Sequence, residues 1–493
     1  MLTALGGVGV LVATAATLTQ VSVGATAEAG AQPPNVVFVL TDDLSWNLVQ
    51  YLPQVEALRK EGLTFNDYTV TDSLCCPSRS SILSGRFPHD TGVFTNGGAD
   101  GGFGYFQSHG EESATFATAM RARGYRTAMM GKYLNEYEPT QAVNGAAPYV
   151  PPGWDEWDVA GDAGYSEFNY DLAENHTVRH YGVLPKDYLT DVLAGKGADF
   201  IKASASAHKP FMLEVATFAP HKPSIPAPRD ALDFPGLTAP QGPAYDTLPT
   251  DPPPWLADRQ PLTPAEQANI DKHFRLRAQS VQAVNRLIGT LRAAISAAGV
   301  ARDTYLVFSS DNGYHMGEYR LNFGKMTAFD TDIRVPLVVA GPGVAAGTTS
   351  AAAVENIDMA PTFERLAGGD VPDTVDGRSL VPLLHGGSAA GWRTAGLVEH
   401  HGPDTLANDP DKPDPGSGDP PSYEAMRTAT YTYVEYTGDG SREYYDLVND
   451  PNELHNLAGS LSPDRLAALH AALTGLENCH DGQGCWAAGH VTS

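Results

Sequence analysis

The chain has 493 residues and a formal net charge of −26, from 32 Lys+Arg against 58 Asp+Glu. That balance excludes sequence-independent nucleic-acid binding and docking on anionic lipid, both of which need a basic surface. A hydrophobic share of 42%, with 17 Phe, 6 Trp and 21 Tyr, supports a large core, and the length suits two or three domain-sized units.

From the N-terminus, residues 2–18 are almost all small or apolar, and Ala25-Thr26-Ala27 follows as a small-x-small cleavage pattern. Residues 1–27 therefore read as a secretory signal peptide, although no Lys or Arg precedes the apolar run. The alternative is a frayed apolar terminus. No later segment has the run of about eighteen apolar residues that a membrane span needs.

Four short β-rich runs then end abruptly in polar residues. Residues 36–40 run into Thr41-Asp42-Asp43, and 125–130 into Gly131-Lys132. Residues 211–215 lead to Pro220-His221, and 305–308 lead through two serines to Asp311-Asn312-Gly313. Helical patterns lie between them at 111–123, 188–205 and 264–298. The last opens with Thr263-Pro264-Ala265-Glu266, which fits a capping box with Pro at the first helical position. This alternation predicts an α/β fold with a large, mostly parallel sheet flanked by helices. In such sheets sites form beyond the carboxyl ends of the strands, so the four polar endings are expected on one edge.

Two stretches interrupt the pattern. Residues 223–264 are crowded with proline and read as an irregular surface loop. Residues 402–421 (GPDTLANDPDKPDPGSGDPP) read as a flexible, acidic insertion. Beyond it, 428–436 and 443–447 read as strands and 463–476 as a helix. The expected organisation is a main domain at 33–390 and a smaller C-terminal α+β unit at 391–493. Cys479 and Cys485 bracket a short loop and are expected to pair in an oxidising compartment. Cys75 and Cys76 are adjacent, where a bridge would be strained, so they need another explanation.

That explanation comes from the segment Cys75-Cys76-Pro77-Ser78-Arg79-Ser80-Ser81-Ile82-Leu83-Ser84-Gly85-Arg86. It resembles the signature of the type I sulfatases, in which Pro stands two positions and Arg four positions after the reactive Cys. The resemblance implies that Cys75 is oxidised to formylglycine, an aldehyde, by a dedicated formylglycine-generating enzyme. The chemistry is coherent: one oxygen of an aldehyde hydrate attacks sulfur, and the other permits expulsion of sulfate by C–O cleavage. A plain serine would leave a stable sulfate ester. Residues after Pro77 read as a helix start, which puts Cys75 at a positive helix end. Arg79 would hold the hydrate by charge-assisted hydrogen bonds. Cys76 reads as a small buried hydrophobe.

Asp42, Asp43, Asp311 and Asn312 form a hard, all-oxygen ligand set suited to Ca²⁺, and less to Mg²⁺. They are similar to the family's calcium site, where residue 75 is also a ligand. Lys132 and Lys325 match lysines that contact the sulfate in relatives, and His221 matches a histidine suited to protonating the leaving alcohol. His315 is a further candidate for substrate contact. Many relatives carry a second histidine two residues after the first lysine; here Leu134 stands there.

The resemblance extends over nearly all of the chain after the signal segment, and implies an alkaline-phosphatase-like fold. It is strongest toward the N-acetylglucosamine-6-sulfatase branch, through Cys75-Cys76 and Gly131-Lys132-Tyr133-Leu134-Asn135-Glu136-Tyr137. The implied activity is hydrolysis of a small sulfated substrate, a sugar or an aryl sulfate, by a protein that is secreted or held in the cell envelope. Two rivals are a phosphodiesterase or phosphonate monoester hydrolase on the same scaffold, and a non-catalytic sulfoglycan-binding protein. The sequence leaves the oligomeric state open. The net charge disfavours a long polyanion lying across the surface, so a small ester or terminal sugar is expected.

Overall fold

A computed structural model describes residues 1–3, 33–143 and 145–491. The expected signal peptide lies outside the described residues, apart from the first three. Among the described residues no helix is long and apolar enough to cross a membrane.

The strand Asn35–Thr41 is buried along its whole length. It pairs in parallel with both Phe211–Ala216 and Thr304–Ser310. A strand with parallel neighbours and helices on both faces must be apolar on both sides, which explains its unbroken Val/Phe/Leu run. Alternate side chains enter different cores. Val36, Phe38 and Leu40 face one layer, and Val37 and Val39 the other.

The sheet has ten strands. Its order is Thr348–Ser350, Leu63–Phe65, Leu337–Ala340, Thr304–Ser310, Asn35–Thr41, Phe211–Ala216, Arg126–Lys132, Glu156–Ala160, Tyr170–Glu174, Thr177–Tyr181. The centre, from Thr304–Ser310 to Glu156–Ala160, is parallel. Antiparallel pairings flank it on both sides, so the sheet is mixed. Helices Leu189–Ser206 and Pro264–Ala297 cover one face. Helices Cys75–Ser84, Phe116–Ala122 and Met359–Leu366 cover the other.

The long helix has the expected capping box between Thr263 and Glu266. The helical pattern at 111–123 is instead broken at Thr115 into a 3-10 turn, Glu111–Ala114, and the helix Phe116–Ala122. The strand expected at 428–436 is a hairpin: Tyr423–Thr428 turns at Ala429-Thr430 into Tyr431–Tyr436. The Thr428 hydroxyl accepts the Thr430 and Tyr431 amides at that turn. With Ala395–His400 and Arg442–Asp446 these strands form a four-stranded antiparallel sheet. Helix Pro463–Glu477 supplies Leu469, Leu473 and Leu476 to its core, and Cys479 is bonded to Cys485 beside it.

Candidate active site

The four polar strand endings meet at one edge of the sheet. Asp42 and Asp43 follow Asn35–Thr41, Lys132 ends Arg126–Lys132, and His221 lies in the loop after Phe211–Ala216. Asp311 and Asn312 follow Thr304–Ser310. All are buried. Gly131 makes the placement of Lys132 possible. Its φ is 102°, and a Cβ there would lie 1.9 Å from the Ala216 carbonyl oxygen, so any other residue would push these two strands apart.

The helix Cys75–Ser84 enters this edge with its N-terminus. All ten of its residues are buried. It closes at Gly85, a left-handed cap whose amide donates to Ser81 O at 2.8 Å. Asn356 fixes its start: its Nδ2 donates to Ser78 Oγ at 3.0 Å, while its Oδ1 accepts the Thr71 amide at 3.2 Å. Cys75 is therefore the first helical residue, at the positive end of the helix dipole.

Cys75 Sγ lies 3.1 Å from Asp42 Oδ1, 3.6 Å from Asn312 Oδ1 and 2.8 Å from Lys325 Nζ. Burial, with Asp311, Asp411 and Asp42 close by, pushes the thiol well above its ordinary range. Cys76 points into the apolar core, where burial pushes its thiol up to about 12.

Arg79 Nε donates to Asp311 Oδ2 at 2.8 Å and its Nη1 to the Lys132 carbonyl at 3.0 Å. Its Nη2 has no hydrogen-bond partner and lies 3.7 Å from Asp42 Oδ1. Lys132 Nζ reaches Asp42 Oδ2 at 2.7 Å, and Lys325 Nζ reaches Asp43 Oδ1 at 2.6 Å. Burial alone would raise the Asp42 carboxyl, but Lys132, His221, Arg79 and Lys325 hold it well below the usual carboxylate range. Asp311 goes the other way: burial outweighs Arg79 and pushes it up to about 6.

The arrangement can hold a metal ion. Ligand atoms of Asp42, Asp43, Cys75 and His221 lie within 4.8 Å of one another. The Asp43 amide donates to Asp311 Oδ1 at 3.1 Å, and Asn312 Nδ2 donates to Asp43 Oδ1 at 2.7 Å. Asp43 Oδ2 is buried with no hydrogen-bond partner. An uncompensated buried carboxylate oxygen among further oxygen donors is what a cation would satisfy.

The segment 402–421 is not a loose insertion, as expected from its composition. It folds back into the site and inserts Asp411, which is 5% exposed. Asp411 Oδ1 lies 2.5 Å from His221 Nε2 and 2.7 Å from Lys325 Nζ, and Oδ2 accepts from Asn96 Nδ2 at 2.7 Å. Burial would raise this carboxyl, but Lys325, His221 and Lys132 hold it well below the usual range. Those ion pairs explain the order of a segment whose one large apolar side chain is Leu406. His221 Nδ1 lies 2.6 Å from the Lys222 carbonyl, which sets the ring's orientation. Burial would lower this imidazole, yet Asp43, Asp411 and Asp42 raise it.

His315 does not offer a free nitrogen to a substrate. Its Nδ1 faces Asp332 Oδ2 at 2.9 Å and its Nε2 faces Ser417 O at 2.7 Å. It braces the 402–421 segment instead. Leu134 is buried in the apolar core, so the histidine common in relatives has no polar replacement at that position. Three residues that place the site had no sequence signal. They are Asp411, Asn96, which also accepts the Cys76 amide at 2.9 Å, and Arg277. The Arg277 guanidinium donates to the Asp43 carbonyl and sits 4.1 Å over the Tyr314 ring. A charged residue on a long amphipathic helix reads as solvent-facing, and only the tertiary fold shows Arg277 buried.

Comparison with known proteins bears on this arrangement. The sulfatase family profile matches residues 34–369, and that of the N-sulphoglucosamine sulphohydrolase C-terminal region matches 317–478. The chain is 35% identical to the N-acetylglucosamine-6-sulfatase of Homo sapiens over 92% of this chain and 86% of that protein. Among solved structures it is similar to one in complex with its substrate D-glucosamine-2-N,6-O-disulfate. The TM-score is 0.75 at 22% identity, covering 90% of this chain and 97% of that one. It is also similar to the phosphonate monoester hydrolase of Silicibacter pomeroyi, with TM-score 0.68 at 22% identity, covering 89% and 93%.

Proposed function

The chain belongs to the sulfatase family, and on that premise we propose an exported, calcium-dependent sulfatase whose nucleophile is formylglycine made from Cys75. Its substrate is a small sulfated sugar of the N-acetylglucosamine-6-sulfate type. The observation that carries the nucleophile is the setting of Cys75. Reactive thiolates sit in electropositive, partly open surroundings. Cys75 is fully buried beside three carboxylates that oppose its ionisation. As a thiol it is a poor nucleophile; as a hydrated aldehyde at a helix N-terminus it suits the site.

The residues divide the work. Lys325, 2.8 Å from Cys75 Sγ, and Lys132, paired with Asp42, hold the sulfate oxygens. Arg79, pinned by Asp311, keeps its free Nη2 toward Asp42 and orients the attacking oxygen. Attack forms one S–O bond as the ester S–O bond breaks, and His221 passes its Nε2 proton, which faces the Asp411 carboxylate before the ester binds, to the departing alkoxide oxygen. Asp411 and the Lys222 carbonyl hold the His221 ring for that transfer. Asp42, Asp43, Asp311, Asn312 and residue 75 would hold the calcium, which supplies positive charge for the sulfate and lowers the pKa of the attacking hydroxyl.

Export is supported by the N-terminal pattern at 1–27 and by the Cys479–Cys485 bond. Maturation then needs a formylglycine-generating enzyme as partner. Mass spectrometry of the peptide holding Cys75 from an active preparation tests the reading: an unmodified thiol in fully active protein overturns it. Comparison of aryl sulfate with aryl phosphodiester turnover separates it from the hydrolase whose fold it shares.

A further inference from the structure

Beside the reacting centre lies a cavity of about 250 Å³ with a different chemistry. Its polar lining is three carboxylates, Glu136, Asp162 and Asp409, and three amides, Asn96, Asn135 and Asn408. Among the described residues no Lys or Arg lines it. It adjoins the reacting residues directly. Asn96 donates to Asp409 Oδ1 at 3.0 Å and to Asp411 Oδ2 at 2.7 Å, and Asp162 lies within Coulombic reach of Lys132 and His221. Asn135, three residues after Lys132, is 4% exposed, and its Oδ1 has no hydrogen-bond partner. A buried amide oxygen without a donor is costly unless a ligand supplies one. Glu136 stands in a left-handed backbone conformation, φ 70°. Its carboxylate fills space that only glycine leaves open, since a Cβ on Gly97 would lie 2.2 Å from Oε1.

We propose that this cavity receives the alcohol portion of the ester, taking a neutral sugar ring with hydroxyl and amide donors and turning away one with a second anionic group. The proposal rests on the sulfatase reading. Donors on the ring would meet Asn135 Oδ1, Glu136 and Asp162. A second sulfate would face three carboxylates with no cation on that wall. The cations Arg79, Lys132 and Lys325 are gathered at the sulfate to be cleaved. The site is thus polarised along the ester, cationic at one end and acidic at the other.

The test compares kcat/KM for N-acetylglucosamine-6-sulfate with that for glucosamine-2-N,6-O-disulfate. The expected ratio exceeds tenfold in the wild type and narrows in Glu136→Gln and Asp162→Asn, through a gain on the disulfate. A wild-type ratio near one, or a ratio that neither variant moves, overturns the proposal. Direct binding of unsulfated N-acetylglucosamine and of N-sulfoglucosamine, followed by saturation-transfer NMR, decides the subsite independently of turnover. N-acetylglucosamine should bind and N-sulfoglucosamine should not; equal binding, or binding unaltered by Asn135→Ala, overturns it. Absence of sulfate release from both esters and from aryl sulfate, with that binding pattern intact, would sink the sulfatase reading and leave the subsite standing.

Discussion

Replacing His89 by Gln should remove a pH-dependent anchor between the main sheet's helical layer and the C-terminal disulfide loop. His89 Nδ1 lies 2.9 Å from both Glu399 carboxylate oxygens, and Nε2 lies 2.7 Å from the Cys479 carbonyl. Both nitrogens face acceptors, which requires the doubly protonated ring. Burial alone would lower this imidazole, but Glu399, the Cys479 carbonyl and Asp90 raise it from 6.5 to about 9. The difference corresponds to about 3 kcal/mol. A raised folded-state value stabilises the cation. The contribution is therefore complete below the unfolded value of 6.5 and is lost as pH rises through about 9. Over the Pro33–Ser493 unit, an unfolding entropy of roughly 1 kcal/mol/K converts this to a melting shift of about 3 °C. If release is local, amide exchange around Cys479 should accelerate by up to about 300-fold. Thermal melting and hydrogen exchange, each followed from about pH 6 to 10, should show the loss in wild type and not in His89→Gln. Parallel pH curves for the two proteins would refute the reasoning.

Asp311→Ala should lose both bound metal and turnover, because it removes one of the proposed oxygen ligands and leaves Arg79 buried without its 2.8 Å partner; such unpairing costs about 3–5 kcal/mol. Metal analysis of the purified variant checks it, and retained stoichiometric calcium moves the cation elsewhere. Asp411→Asn removes one of the charges that hold His221 above its ordinary range. The basic limb of the pH–rate profile should then move to lower pH, with kcat reduced more than KM, and an unmoved limb refutes the pairing. Gly131→Ala places a Cβ 1.9 Å from the Ala216 carbonyl oxygen at a φ of 102°. It should cost several kcal/mol, about 3 or more, seen as a large drop in melting temperature.

Sequence and structure agree where side-chain pattern and local geometry point the same way. The four β runs, the long helix with its Thr263–Glu266 box, and the Cys75 helix start were all readable, because periodicity and capping are local properties. So was the gathering of Asp42, Asp43, Arg79, Asp311 and Asn312 at one sheet edge, since their motifs stand at strand or helix ends. The break at Thr115 and the hairpin at Ala429-Thr430 were missed, because helix and strand formers continue through both. Asp411 was illegible for a stronger reason. Composition says that 402–421 cannot build a core of its own, and that is correct. The segment is ordered instead by partners of Asp411 supplied from elsewhere: the charges of Lys325 and His221 and the amide of Asn96, distant in sequence by 86, 190 and 315 positions. His315 looked like a substrate contact by proximity to Asp311, yet its ring is spent on Asp332 and Ser417.

The net charge of −26 sets a last, separable prediction. Inside the site the carboxylates Asp42, Asp43, Asp311 and Asp411 stand against Arg79, Lys132, Lys325 and a His221 biased toward its charged form. The centre is close to neutral before any cation binds, so the surplus negative charge belongs to the rest of the molecule. An anionic substrate therefore meets repulsion on approach and attraction only on arrival. Repulsion acts over the Debye length, about 30 Å at 0.01 M salt and about 10 Å at 0.1 M. A sulfated monosaccharide presents one charge to that field, whereas a long sulfated polymer presents many at once. Raising salt from about 0.01 to 0.1 M should thus increase kcat/KM for the polymer several-fold and for the monosaccharide ester only slightly. A polymer rate that falls with salt would mean that a basic track runs to the site after all, and the surface would have to be read as a polyanion-binding one.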